Sequence, residues 1–279
     1  MKADRMPEEA HIMDELDAAQ TMPPLSEAFE ATDRITLGHG VFDTLLVRDG
    51  SPVHGPAHMD RLIRHARAFG MNPPVTREGL LTRVKERITQ ARATTGLWRL
   101  RTVLSAGEGP PGLAFSPDGP VTLAMTLAPA HDPTHLPPLT LTVARGVRRN
   151  DRSPLSRIKS TNYGENILAA AEARAAGFTD AVLLNTQGRV ACASAANLFA
   201  FLADGSLATP PVEEGAMDGI VRGLLLEQGA VERPLTLENL ESARGLYTTN
   251  SLTGLRPALS LSGRSLATPL DIATRFPLS

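Results

Sequence analysis

A chain of 279 residues and 29.7 kDa is long enough for one large α/β domain or two smaller ones. Hydrophobic residues at 42% and charged residues at 21% are ordinary globular proportions and exclude a fibrous or wholly disordered chain. The 28 basic against 30 acidic residues leave a net charge of -2, so no overall basic field draws in nucleic acid or anionic lipid. The single cysteine, Cys192, excludes an intrachain disulfide. No run approaches ~18 consecutive apolar residues, and the first twenty residues are acidic where a signal peptide would be basic and then apolar. A cytoplasmic location is expected.

Residues 1–27 are polar, acidic and interrupted by proline, and read as an N-terminal arm. Strand-like apolar residues follow over 34–49, around Gly38 and Gly40, and Asp49-Gly50 marks a turn. Leu62, Ile63, Ala66 and Phe69 fall at helical spacing within 57–69, and a second helix is expected over 76–93 on the stripe Leu80, Leu81, Val84 and Ile88. Strands are expected at 98–106 and 121–128. Four prolines in 129–138 then mark a semi-rigid connection. The expected organisation is therefore an arm (1–27), a small α/β domain (28–130), a Pro-rich linker (131–138) and a large domain (139–279). Within the last, the pattern predicts a strand at 139–147, a helix over 163–176, and short strands at 180–185, 197–202 and 206–209. A helix is expected over 218–228, with strands at 245–249 and 258–261. There is no internal repeat.

Only three of the basic residues are lysines, Lys2, Lys85 and Lys159, so each can be judged singly. Lys2 lies in the arm and Lys85 on a charged helix face. Lys159 sits between an expected strand and an Ala-rich helix, a junction where side chains face a cleft and a desolvated amine can attack an aldehyde. The segment from Gly215 to Arg222 brings glycines to a helix start, a place for a phosphate or for a simple cap. Arg61 shares its helix with Arg64 and Arg67, a candidate anion ligand or part of a solvated face. The seven histidines show no metal-ligand spacing; His54 and His58 are four apart, with Pro56 between them expected to break helical presentation. GxSxG, Walker and dinucleotide-loop motifs are absent.

The order of these segments resembles the fold type IV pyridoxal-phosphate enzymes, the class IV aminotransferases, from Arg34 to Pro257. GHGVFDTLLVRDG with HMDRL is similar to the family's small-domain strand and H-x-x-R-L helix, which implies that Arg61 binds the cofactor phosphate. IKSTNYGENILAAAEARAAGFTDAVLLN resembles the segment bearing the Schiff-base lysine, here Lys159, with the spacing of the D-amino acid aminotransferase and aminodeoxychorismate lyase branches. AMDGIVRGLLLE resembles the phosphate loop and implies roles for the backbone of Ile220 and Val221, with Val221 replacing the usual threonine. TTNSLTGLRP implies Asn250 near the ring and Ser251 on the phosphate. The family pattern G-x-V-x-E-x-x-x-x-N-x-F runs here from Gly188 to Phe199, which implies a cofactor role for Asn197 and sets Cys192 where a glutamate pairs with the pyridine nitrogen. Phe42 and Tyr163 are expected in the substrate pocket.

The resemblance implies a two-domain α/β homodimer that holds pyridoxal 5'-phosphate and moves an amino group between an amino acid or amine and a 2-oxo acid, without a metal. Two alternatives stay open. The segments AANLF and NSLTGLRP resemble aminodeoxychorismate lyase, which releases pyruvate and 4-aminobenzoate, and Cys192 suits a degenerate cofactor-binding homologue with little turnover.

Overall fold

The computed structural model describes residues 34–110, 112–266, 272 and 276, so the arm expected over 1–27 lies outside the described residues. A 3-10 turn, Arg34–Leu37, stands where strand was expected to begin. Strand β1 (Gly40–Arg48) follows, and its period of two sorts its side chains. Val41, Leu45 and Val47 enter the core, while Phe42 and Thr44 line a cavity on the other face. Asp49 and Gly50, at φ of 49° and 77°, turn the chain into β2 (Ser51–Pro52).

Two helices cover the core face. Helix α1 (Gly55–Ala68) carries Pro56 in its first turn, so the proline expected to separate His54 from His58 instead starts the helix. Its missing N–H is one that a first turn leaves unpaired in any case. Thr76 caps α2 (Arg77–Gln90) by accepting the Gly79 N–H. Met59, Leu62 and Ala66 from α1 pack with Leu80, Val84 and Ile88 from α2 against β1. Strands β3 (Leu97–Ser105) and β4 (Thr122–Pro129) complete an antiparallel sheet ordered β2-β1-β3-β4.

The second sheet starts at β5 (Leu139–Val143), which stops short of the expected 147. Beyond it the N–H groups of Arg145 and Gly146 donate to the Glu172 carboxylate on α3 (Gly164–Ala175) instead of continuing a ladder. The small residues Ala169 and Ala173 let α3 lie close against Ala181 and Leu183 of β6 (Asp180–Leu184). Strand β7 (Val190–Ala193) was not anticipated: four residues, all buried, carry no alternation to read. The chain continues through β8 (Asn197–Phe201), β9 (Leu207–Thr209), α4 (Ile220–Glu227), β10 (Val231–Glu232), α5 (Leu237–Glu241), β11 (Gly245–Asn250), β12 (Gly254–Leu261) and β13 (Arg264–Ser265). The order is β10-β9-β8-β11-β12-β5-β6-β7, with β13 on β12. Pairs β12–β5, β5–β6 and β9–β10 are parallel and the others antiparallel.

The last strand of the first sheet ends at Pro129 and the second sheet begins at Leu139, with a 3-10 turn, Pro133–His135, between them. Both sheets belong to one compact unit, residues 32–279. They meet where Val41 forms a bridge with Ser160, next to Lys159. Among the described residues no helix is long and apolar enough to cross a membrane.

Candidate active site

A cavity of about 280 Å³ opens where β1 and β3 of one sheet face the loops and strand ends of the other. Its wall contains all ten residues singled out from the sequence: Phe42, Arg61, Lys159, Tyr163, Cys192, Asn197, Ile220, Val221, Asn250 and Ser251. It also contains Arg101 and Arg149, so among the described residues four cationic side chains line it and no aspartate or glutamate does. A chain with a net charge of -2 thus gathers four cations in one hollow.

The acid that belongs with Arg61 stands behind the wall. Asp43 lies in the inward row of β1 with Val41 and Leu45, and points at α1. There it receives Arg61 Nε at 2.9 Å and Nη2 at 2.8 Å, His58 Nδ1 at 2.7 Å and the Thr44 N–H at 2.7 Å. Burial alone would push the Asp43 carboxyl up; the Arg61 charge and the hydrogen bonds from His58 and Arg61 outweigh it and hold the group well below the usual carboxylate range. Burial lowers the His58 pKa against the pull of Asp43. The Arg61 guanidinium is thus fixed along one edge. Its Nη1 donates to the Asp218 carbonyl at 3.2 Å, one residue before the cap of α4.

Helix α4 starts uncapped. Gly219 occupies its N-cap with no side-chain hydrogen bond, leaving the first N–H groups, those of Ile220 and Val221 among them, without helical partners in the cavity wall. A Cβ at Gly219 would come within 2.1 Å of Asn197 Oδ1, so only glycine lets the turn pass this close. Asn197 in turn donates to the Met217 carbonyl at 2.8 Å and braces that turn. The lining also includes Thr249, whose buried hydroxyl has no hydrogen-bond partner among the described residues. An arginine fork, an uncapped helix start and an orphaned hydroxyl in one wall suit a phosphate-bearing cofactor.

Lys159 is held by its main chain. Its carbonyl accepts the Phe42 N–H at 2.8 Å, and its own N–H donates to His65 Nδ1 at 3.0 Å. The side chain is left to the cavity, where Nζ lies 3.3 Å from Tyr163 Oη and 4.6 Å from the centre of the Phe42 ring. Phe42 and Tyr163 meet edge to face, and Arg101 on β3 stacks at 3.9 Å over the Phe42 ring. Arg101 has no hydrogen bond or ion pair among the described residues. Asn250 is engaged locally: its Oδ1 accepts the N–H groups of Leu252 and Thr253, shaping the loop that holds Ser251.

Cys192 lies on β7 at the other end. Burial pushes its thiol up to about 11, against the opposing charge of Arg149. Arg149 is fixed by Asn166 Oδ1 at 3.2 Å, the Ser156 carbonyl at 2.8 Å and Glu165 at 3.4 Å. The sequence reading overlooked Asp43, His65, Arg101, Arg149 and Thr249. For Arg101 the only available signal was its place one strand residue from Arg99 in an alternating run; the others carry no local mark. Among the described residues no cluster of three or more His, Cys, Asp or Glu is placed to hold a metal ion.

The arrangement of the two sheets is shared with solved structures. A Legionella pneumophila protein provisionally named a 4-amino-4-deoxychorismate lyase superposes with a TM-score of 0.82 at 29% identity, covering 91% of this chain and 94% of that one. The branched-chain amino acid aminotransferase of Escherichia coli gives a TM-score of 0.81 at 20% identity, covering 90% of this chain and 87% of that one. The class is therefore that of fold type IV α/β enzymes. Residues 40–261 match the family described as amino-transferase class IV, and the chain belongs to that family. A Methanocaldococcus jannaschii protein provisionally named a branched-chain-amino-acid aminotransferase is 31% identical over 243 residues, 81% of this chain and 80% of that protein.

Two predictions follow from the charges. Asp43→Asn leaves the buried Arg61 without its counter-charge and is expected to destabilise the fold by about 3–5 kcal/mol in urea unfolding. Because the folded carboxyl titrates below its usual range, the wild-type contribution is complete above that range and is lost as pH falls below about 4. Cys192 is expected to resist iodoacetamide in the native protein at pH 9, where a thiol raised to about 11 holds roughly fiftyfold less thiolate than an exposed one. Unfolding in urea should restore the ordinary rate.

Proposed function

We propose that this chain is a pyridoxal-phosphate-dependent aminotransferase acting on an amino acid or amine and a 2-oxo acid, with Lys159 as its catalytic residue. The observation that carries the reading is a lysine Nζ in a cavity walled by three arginines and an uncapped helix start, with no carboxylate in the lining. Arg61, the N–H groups of Ile220 and Val221, Ser251 and the orphaned Thr249 hydroxyl would hold the cofactor phosphate. Cys192 and Asn250 would lie toward the ring. The bound cofactor supplies an electrophilic aldehyde and a conjugated ring that stabilises negative charge at the substrate α-carbon.

The chain supplies the rest. Lys159 Nζ would anchor the aldehyde end of the cofactor and, as a free amine, would take and return the proton at the substrate α-carbon. The Tyr163 hydroxyl orients that amine, and the Phe42 ring beneath it keeps water from one side. Arg101, unpaired at the mouth, binds a substrate carboxylate. The reading carries with it a homodimer, for which the exposed Ile167 and Leu168 on α3 offer an apolar surface. It also includes a cytoplasmic location and a division into domains at 131–138. The likeness to the Legionella protein favours aminodeoxychorismate lyase as the second reading.

Borohydride reduction of the holoenzyme followed by peptide mapping is expected to find the pyridoxyl label on Lys159 and to find none in Lys159→Ala. A label on Lys85 would overturn the assignment. With an amino donor present, a 2-oxo acid should be consumed in step with product; pyruvate and 4-aminobenzoate released from 4-amino-4-deoxychorismate with no acceptor consumed would establish the lyase. Cys192→Glu tests the ring end: a carboxylate beside the pyridine nitrogen is expected to speed deuterium exchange at the substrate α-carbon roughly tenfold or more. Full cofactor occupancy with unchanged exchange would remove Cys192 from that place.

A further inference from the structure

Helix α1 reaches the second sheet with more than Arg61. Residues 61, 64 and 65 share a face of the helix, since positions three and four apart lie one above the other. All three grip Asp218. Arg61 Nη1 donates to its carbonyl at 3.2 Å, Arg64 pairs with Oδ2, and His65 Nε2 lies 3.0 Å from Oδ1. Asp218 adjoins Gly219, the N-cap of α4. The helix that carries the arginine fork thus also sets the position of the uncapped N–H groups.

His65 does one thing that its neighbours do not. Its other nitrogen, Nδ1, is 3.0 Å from the backbone N–H of Lys159. A backbone N–H can only donate, so Nδ1 carries no proton, and the ring hydrogen lies on Nε2, directed at Asp218. The imidazole is buried and joins two segments that are 59 residues apart, Lys159 and Asp218. Lys159 needs such a tie. Its segment lies between the 3-10 turn Pro154–Ser156 and α3, and its other ties, the Ser160–Val41 bridge and the Thr161 and Asn162 side chains on the Gly38 and Gly40 carbonyls, all run to the start of β1 rather than to α4.

We propose that His65 is a positioning residue that fixes the Lys159 main chain relative to the start of α4, and so sets the span between the amine and the phosphate-binding N–H groups. A cofactor that bonds covalently at one end and through its phosphate at the other has a fixed length. The two attachment points must therefore be held at a matching separation before it arrives, and one rigid ring, bonded to the Lys159 main chain and to the Asp218 carboxylate, ties the two segments directly. The consequence for cofactor retention rests on the function proposed above; the tie itself does not.

The two nitrogens can be replaced separately. Asparagine offers an oxygen near the position of Nδ1 and can accept the Lys159 N–H, but is too short for Asp218. Glutamine offers an N–H near the position of Nε2 and can donate to Asp218. The test is amide hydrogen exchange on the full chain, without cofactor, in wild type, His65→Asn, His65→Gln and His65→Ala. It is coupled to the rate at which each variant, once loaded with pyridoxal phosphate, loses its visible absorption.

Exchange at the Lys159 amide is expected to rise about fivefold in His65→Gln and His65→Ala and to stay near wild type in His65→Asn. Amides of 217–220 should loosen in His65→Asn and His65→Ala and hold in His65→Gln. Cofactor loss should be fastest in His65→Ala, by roughly tenfold, with both single-bond replacements between it and wild type. Indistinguishable exchange patterns in His65→Asn and His65→Gln would overturn the proposal, as would unchanged cofactor loss in a folded His65→Ala. If His65→Ala fails to fold, the contrast between the other two variants decides. A wild-type protein that takes up no pyridoxal phosphate would defeat the proposed function, while the exchange pattern would still judge the tie.

Discussion

The buried pair of Asp43 and Arg61 governs how this site is built. Desolvating two charges costs several kcal/mol unless the geometry is good and every remaining polar group is used. Here the carboxylate takes two bonds from the guanidinium, one from His58 and one from a backbone N–H. What results is an arginine whose orientation is fixed before any anion arrives. Its counter-charge is screened from the cavity by β1 itself, because Asp43 and the cavity-facing Phe42 and Thr44 belong to opposite rows of one strand. A donor held in this way loses little entropy and needs no reorganisation on binding, which is where most of the value of a preorganised site lies.

The second sheet contributes a different kind of positive charge. Its main element is the start of α4, where partial charges on unpaired N–H groups do the work of a cation without a side chain. The Gly219 turn can approach Asn197 because no Cβ intervenes, and Asn197 returns the support by bonding Met217. The two halves thus turn donors of unlike kinds toward one cavity, a fork and a helix end. Neither half is complete alone, and the joint between them passes through α1, Asp218 and the Lys159 main chain.

Much of the candidate site was legible in the sequence, because its residues sit in segments with a recognisable local order. Lys159 stood out by scarcity and by its junction, and Arg61 by its motif. The elements were placed to within a few residues wherever an apolar stripe was long, as in α1 and α2. Where pairing depends on distant partners the reading failed. Strand β5 ends early because Glu172, far along the chain, captures the next two N–H groups, and β7 exists because β6 is there to pair with it. The same reason hid Arg149, Thr249 and Asp43: each gains its significance from partners or a cavity that other segments supply, and a net charge of -2 gives no hint that four cations share one wall. Pro56 misled for a subtler reason, since a proline reads as a break until the helix start is known to coincide with it.

The cradle that these interactions form does not itself choose a reaction. In the proposed enzyme the amine at Lys159 would move a proton at the carbon bearing the substrate amine, whether an amino group is then transferred or a carbon–oxygen bond is broken to release pyruvate. What separates these outcomes is how long negative charge is held at that carbon and which groups face the substrate's far end. The first would depend, in that enzyme, on Cys192, a thiol that burial keeps protonated where a carboxylate would favour a charged ring. The second would depend on Arg101 and the aromatic pair Phe42 and Tyr163, which line the cavity together. Arg101 bonds neither to the Asp43–Arg61 pair nor to the α4 start, so its substitution leaves both in place. A family built on this frame can therefore change its chemistry through one strand face of the small sheet and one short strand of the large one, at little cost to the fold.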